Sequence, residues 1–339
     1  MMMKPNRLLL AALALLGASA AFAQSSVTIY GRVNTTIERQ KEGDAKTTGL
    51  YDDNSRWGIR GVEDLGGGLK AGFTLESGFN VDTGAGSRPT GMSFNRQSEV
   101  NLSGGFGMVR LGNFFPESYF ATVDYSSLHN HDTGSSEDAL FYDPVWFGPR
   151  GTGNKASYRT PNFGGVTVEG TVSLHEQPSG TGGKNGYDLA ANYTAGPLHV
   201  GFGYTGANDN WGARLQALYN FGPFTVAGYY ERDKDENLLL PTGAGSRNNF
   251  RLAGMYVLGA SEFHVNVGRA NKWSNIRDSS ATQWTLGYNY NLSKRTKLYG
   301  YYTRINNSSG GTYGPGGGNF GVAAGDDFSS FALGIRHNF

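Results

Sequence analysis

The sequence predicts an all-β protein: a 16-stranded antiparallel transmembrane β-barrel. Three observations lead there. Apolar and polar residues alternate with period two almost from end to end, the alternating segments run about ten residues, and the connections between them alternate short and long. A tilted strand needs about ten residues to cross a bilayer, and only every second residue meets lipid. Hence the mean hydropathy of −0.41 does not speak against a membrane protein.

The N-terminus sets the compartment. Lys4 and Arg7 precede an apolar run from Leu8 to Leu16, and Ala21-Phe22-Ala23 places small residues where a signal peptidase reads. Residues 1–23 are therefore read as a cleavable signal peptide and 24–339 as one barrel domain. A membrane anchor is the competing reading, but the run is too short to span about 30 Å as a helix.

The strands follow in order. Val27, Ile29, Gly31, Val33 and Ile37 interleave with Thr28, Tyr30, Arg32, Asn34 and Thr36. Val166, Val168, Val172 and Leu174 interleave with Thr167, Glu169, Thr171 and Ser173. The same holds for Leu198 to Thr205, Phe224 to Tyr230, Phe263 to Val267 and Thr285 to Leu292. Each reads as a strand with one apolar and one polar face. Tight connections are expected at 64–68, 104–107, 162–165, 195–197, 221–223, 259–261 and 293–295. Longer, polar ones are expected at 41–54, 82–93, 116–153, 176–185, 206–210, 233–247, 271–280 and 307–326. Seven short and eight long connections join sixteen strands and bring both termini to the short-turn, periplasmic side. In lipid an open edge leaves backbone groups unpaired, so the sheet must close, and sixteen strands enclose an aqueous channel.

Composition agrees. The chain has 52 glycines, 20 Phe and 19 Tyr, which suits tight turns and an interfacial aromatic girdle. Lys and Arg number 29 against 28 Asp and Glu, so no basic excess points to nucleic acid. There is no cysteine. Phe331, Leu333, Ile335, His337 and Phe339 share one face of the last strand.

Several segments resemble the trimeric general porins of Gram-negative bacteria, of beta-proteobacterial and neisserial type. They are Ser55 to Lys70 with its glycine-rich turn after Asp64, Phe94-Asn95-Arg96-Gln97, Tyr158 to Gly165, Tyr290 to Thr296, and Gly334 to Phe339. The resemblance covers the whole chain after the signal peptide. It implies a homotrimer of 16-stranded barrels in the outer membrane, with the long third loop folded into the lumen. It also implies that terminal Phe339 is read by the outer-membrane insertion machinery. Gly58, Gly61 and Gly72 are small residues that would let barrels approach one another. Arg32, Asn34 and Asn113 depart from the family pattern, in which an apolar residue, an Asp and an Arg are more frequent.

The segment 116–153 is the longest connection and is acidic: Glu117, Asp124, Asp132, Glu137, Asp138 and Asp143 stand against Arg150. The resemblance makes it the constriction loop, and its aromatics are expected to pack it against a wall. Arg56 and Arg60 lie opposite in phase to Trp57 and Ile59, Arg32 to Val33, and Arg110 to Val109 and Leu111. A charge facing lipid at mid-depth costs about 2–4 kcal/mol, so these arginines should face water or acidic partners. By residue-to-residue matching, Arg56, Glu76, Arg96 and Arg159 resemble the family's constriction charges. Acids among Asp124, Asp132, Glu137 and Asp138 would face them across a narrow gap, and the rigid wall arginines would give a weak anion preference. The competing reading puts Arg159 and Arg110 at the rim, against lipopolysaccharide phosphate.

Passive diffusion of small hydrophilic solutes and ions is the function this implies. A substrate-specific channel or an adhesin-like barrel is the alternative, and an outer-membrane hydrolase the weakest. No cofactor, metal or catalytic site is expected. His129 and His131 with Asp132 form only a weak metal motif, His199 and His264 read as polar lining, and Asp233, Asp235 and Glu236 as a solvated loop. No Gly-x-Ser-x-Gly elbow occurs, and no Ser or Thr follows Lys184 in the Gly-rich run before Asn185.

Overall fold

A computed structural model describes residues 26–87, 91, 93–126, 128, 133–144, 153–238, 242–315 and 321–339, and of 123–126 only the backbone. The expected signal peptide, and with it residues 1–23, lies outside them.

The strands are β1 (Ser26–Glu42), β2 (Ala45–Asp52), β3 (Arg56–Gly66), β4 (Leu69–Gly78), β5 (Gln97–Gly104), β6 (Gly107–Asn113), β7 (Lys155–Arg159), β8 (Val166–Ser173), β9 (Gly186–Ala195), β10 (Leu198–Ala207), β11 (Asn210–Phe221), β12 (Phe224–Asp235), β13 (Gly245–Leu258), β14 (Ser261–Ala270), β15 (Ala281–Asn291), β16 (Thr296–Asn307) and β17 (Phe328–Asn338). From β3 onward each strand pairs antiparallel with the next, and β17 pairs with β1, so the sheet closes. Both β2 and β3 pair with β1, β2 along Thr35–Glu42 and β3 along Ser26–Arg32. They are two halves of one stave, and the barrel has 16 staves.

The stave breaks at Asp53-Asn54-Ser55. Asn54 takes a left-handed φ of 59°, which Asn tolerates better than most residues. The ladder is carried across the gap by other bonds. The Asp53 amide donates to Asn34 O at 3.0 Å, and the Asn34 amide donates to Ser55 Oγ at 3.0 Å.

Period two decides which way each side chain points. Val27, Ile29 and Ile37 are more than 60% exposed on the outer face, while Asn34, Thr36 and Glu38 on the same strand are buried inside. Lipid would cover the first set; the second lines the lumen. Gly58 and Gly72 fall on the inward phase, in register with Glu76 and Asn101, and the outward Gly61 is covered by the Phe73 ring. These glycines therefore offer no bare outer surface, contrary to the sequence expectation.

Three connections are shorter than the sequence suggested. The segment 41–54 is mostly hairpin: β1 runs to Glu42, turns at Gly43 (φ 52°) and returns as β2. Its residues are polar on both faces because the strands continue beyond the lipid band, which erases the hydrophobic alternation. The expected loop 206–210 is a turn at Asn208 (φ 58°), and 233–247 shrinks to the residues between Asp235 and Gly245. The segment 116–153 instead gains structure, an α-helix α1 (Glu117–Ser126) and a 3-10 turn (Gly134–Ser136).

Candidate functional site: the lumen and its inserted loop

The loop after β6 enters the barrel and lies against one half of its wall. Helix α1 packs on β9, β10 and β11. Two glycines of β10 make room: a Cβ on Gly201 would collide with Ala121 O, and one on Gly203 with Ser118. Ser118 donates to Asp188 of β9, and Asn192 donates to Glu117 at 3.2 Å. Farther along, Ser135 donates to Glu38 of β1 at 2.5 Å, and Tyr301 of β16 donates to the same carboxylate at 2.7 Å.

Between these points the loop is fastened to β11, β12, β13 and β15. Arg251 donates to both oxygens of Asp138, at 2.9 and 2.7 Å, and Tyr229 donates to Asp138 as well. Arg247 and Asn249 donate to Leu140 O, and Arg214 donates to Tyr142 O. Gln283 accepts from Ala139 N and donates to Glu137 O. The Tyr142 ring meets Trp273 edge-on at 5.5 Å, and Arg214 stacks over Phe141 at 4.6 Å. Burial and the neighbouring Asp235 push the Tyr142 hydroxyl well above the ordinary tyrosine range, so it keeps its proton and donates a hydrogen bond to Asp235 at 2.9 Å.

The other half of the wall keeps several inward arginines, two of which share one acid. Arg32, Arg56 and Arg60 take inward phase on β1 and β3, Arg32 in register with Arg56. Glu76 accepts from Arg96 Nε at 2.7 Å and from the Tyr30 hydroxyl at 3.0 Å, with Arg56 Nε at 3.9 Å. Arg32 donates to Asn338 at 3.1 Å, and Arg60 lies 5.0 Å over the Tyr30 ring. Asn54, delivered by the stave break, ties this cluster to the loop. It accepts from Arg56 through its carbonyl and from Arg96 through Oδ1, and donates to Glu137 at 2.8 Å.

The remaining sequence candidates separate. Arg110 and Arg159 point into the barrel, not to the rim, and share Glu169; Arg110 also meets Glu99, and Arg159 meets Glu117. Burial pushes the Glu117 carboxyl above its ordinary range despite nearby Arg159. Asp138 does not face Arg56 or Arg96: Arg251 holds it on the opposite wall, because a carboxylate 2% exposed needs a paired charge. Asp124 lies on α1, and Asp132, with His129 and His131, falls outside the described residues. Asn113 takes the outward phase, in register with Ser98.

Other expectations are corrected too. Asp233 and Asp235 are fully buried, not solvated: Asp233 pairs with Arg247 at 2.9 Å, and Asp235 accepts from Tyr142, Leu238 N and Ala244 N. His199 and His264 line the lumen, bonded to Gln216 and to Asn289. Among the described residues no group of three or more His, Cys, Asp or Glu is placed to hold a metal.

Sequence reasoning passed over Arg214, Arg247 and Arg251. Their phase was readable, since Arg214 stands between Ala213 and Leu215 and Arg251 between Phe250 and Leu252. That the loop would reach these strands was not.

A closed 16-stave barrel with a polar interior and one loop folded inside is the architecture of outer-membrane channels. The Gram-negative porin family matches residues 9–311, and the chain belongs to that family. It is a multi-pass outer-membrane porin. It is 36% identical over 364 residues to outer membrane porin protein 32 of Delftia acidovorans, covering 97% of this chain and 99% of that one. Major outer membrane protein P.IB of Neisseria meningitidis is 25% identical over 301 residues, covering 81% and 86%. Among solved structures, the anion-selective porin from Comamonas acidovorans superposes with a TM-score of 0.78 at 31% identity, covering 93% of this chain and all of that one. The trimer form of OmpT from Vibrio cholerae shares the fold at a TM-score of 0.68 and 15% identity, covering 93% and 99%.

Proposed function

We propose that this porin prefers anions weakly, and that Arg32, Arg56, Arg60 and Arg96 carry the preference. The observation behind this reading is the division of charge in the lumen. Arg56 and Arg96 share the carboxylate of Glu76, and Arg32 and Arg60 take neighbouring inward positions on β1 and β3, while Asp138 of the inserted loop is neutralised by Arg251 on the far wall. In a water-filled gap each charge changes an ion's energy by about 1 kcal/mol at contact, less with salt, so the selectivity is a modest ratio. The Comamonas relative, described as anion-selective, supports the same sign.

Reversal potential in a salt gradient across planar bilayers tests this. Wild type should pass anions over cations, and Arg56→Ser/Arg96→Ser should bring the ratio close to one. Cation preference in the wild type would refute the reading, and an unchanged ratio in the double variant would move it to other residues.

Three further proposals accompany it: a homotrimer, export through a signal peptide at residues 1–23, and recognition of the Phe339 end by the insertion machinery. Family membership supports the trimer. Electrophoresis without boiling, with light scattering in detergent, should return three copies per particle; a conducting monomer would end that proposal.

A further inference from the structure

Asn54 occupies the break in the first stave, between the ladder that ends at Asp52 and the one that starts at Arg56. Two requirements meet at this position. The backbone takes a φ of 59°, where Gly, Asn and Asp sit with least strain. The side chain stands between opposite charges: Oδ1 accepts from Arg96 Nη1 at 3.4 Å, and Nδ2 donates to Glu137 Oε1 at 2.8 Å. Glycine has no side chain, and an ionised Asp only accepts. Of these residue types, Asn alone serves a cation and an anion at once while adding no charge.

The groups on either side of this bridge are anchored without it. Arg96 is held by Glu76 at 2.7 Å and lies 5.3 Å over the Phe115 ring. On the loop side, Gln283 donates to Glu137 O at 2.8 Å, Arg251 holds Asp138, and Glu38 accepts from Ser135. The Glu137 backbone is thus tethered on both sides independently of Asn54, and its carboxylate is the part that can swing. Room for that movement exists, since Asn54, Arg96 and Glu137 line one recess of about 470 Å³.

We propose that Asn54 is a positioning residue for ion selectivity: its amide stands between Glu137 and the arginines at 56 and 96, so that the loop touches this wall without a second acid neutralising them. Arg56 is tied to the same residue, donating to the Asn54 carbonyl at 3.0 Å. Without the amide, attraction draws the Glu137 carboxylate onto the Arg96 guanidinium, and the positive field that a passing ion meets falls. The inference rests on the anion reading of these arginines and adds the residue that keeps a further carboxylate off them.

The test is a double-mutant cycle on the full barrel in planar bilayers, with the anion-to-cation ratio read from reversal potentials at low salt. Asn54→Gly keeps the left-handed backbone and removes the amide; Glu137→Gln removes the charge. Glu137→Gln alone should raise the ratio slightly. Asn54→Gly should lower the ratio to about half, and in that background Glu137→Gln should raise it about twofold, back to wild type or above. Asn54→Asp keeps the shape and the φ but cannot donate to Glu137, and it should lower the ratio further by bringing its own charge to Arg96. Heat-modifiable mobility on gels confirms that each variant is folded. An Asn54 that merely braced the stave would leave Glu137→Gln with the same effect in both backgrounds. That outcome, or a wild-type ratio in both Asn54→Gly and Asn54→Asp, would overturn the proposal. Arg56→Ser/Arg96→Ser separates the two readings. A shift there with none in the Asn54 variants ends the positioning role and leaves the arginine reading standing; no shift in any of them ends both.

Discussion

Two walls of the same lumen carry arginines on inward strand positions, and they do different work. On β3 and beside β4, Arg56 and Arg96 keep 19% of their side chains exposed and share one carboxylate. On β11 and β13, Arg214, Arg247 and Arg251 are 0–1% exposed, each against an acid or a loop carbonyl. The first group can act on a passing ion. The second cannot reach one; it holds the inserted loop. Alternation assigns both groups to the lumen, and the path of the loop decides which half of the lumen is water.

The strongest challenge to this contrast is Arg251→Leu. It leaves the Asp138 carboxylate buried without its cation, a loss of about 3–5 kcal/mol. The loop should detach, so single-channel current should become noisier and the folded form should convert at a lower temperature on gels. Adding Asp138→Leu removes the stranded charge and should restore most of the thermal resistance, because a buried pair replaced by apolar residues is often neutral. Wild-type current noise and heat resistance in Arg251→Leu would show that the pair does not hold the loop.

Glu76→Gln sharpens the contrast from the other side. It removes the one acid that Arg56 and Arg96 share, so the anion-to-cation ratio should rise, by up to about fivefold at low salt and less at high salt. Heat resistance should change little, since the amide can still accept from Arg96 and Tyr30. A falling ratio would mean that Glu76 orders the arginines more than it offsets them.

How much of this was legible in sequence follows from what a period of two can encode. It fixes the face: Arg32, Arg56, Arg60, Arg110 and Arg159 all take the lumen phase expected of them. Glycine-rich turns such as Gly66-Gly67-Gly68, with φ of 86°, 61° and 83°, mark chain reversals that few other residues allow. Depth and partnership are not encoded. Arg110 and Arg159 read as wall charges facing water or acids, but nothing local names Glu99, Glu169 and Glu117 as their partners. Asp138 read as facing Arg56 because nothing local says that the loop leans toward Arg251. The hairpin 41–54 read as a loop because strands beyond the lipid band lose the alternation that announces a strand.

The smallest expected effect concerns pH, and it links the loop to the wall on which it begins. Glu117 opens α1 and pairs with Arg159, which also pairs with Glu169. Burial is the largest influence on Glu117 and raises its pKa; Arg159 and Arg110 oppose the shift, and Glu169 adds to it. A raised carboxyl takes up its proton earlier as pH falls, above the range where exposed glutamates titrate. One negative charge then leaves the lumen while the arginines stay ionised, so anion preference should climb slightly on mild acidification. The step should be smaller than that of Glu76→Gln, because Glu169 still offsets Arg159. Reversal potentials measured from neutral to mildly acidic pH, in wild type and in Glu117→Gln, decide the matter. The variant should show the higher ratio throughout and no step; a step of equal size in Glu117→Gln would assign the titration to another group.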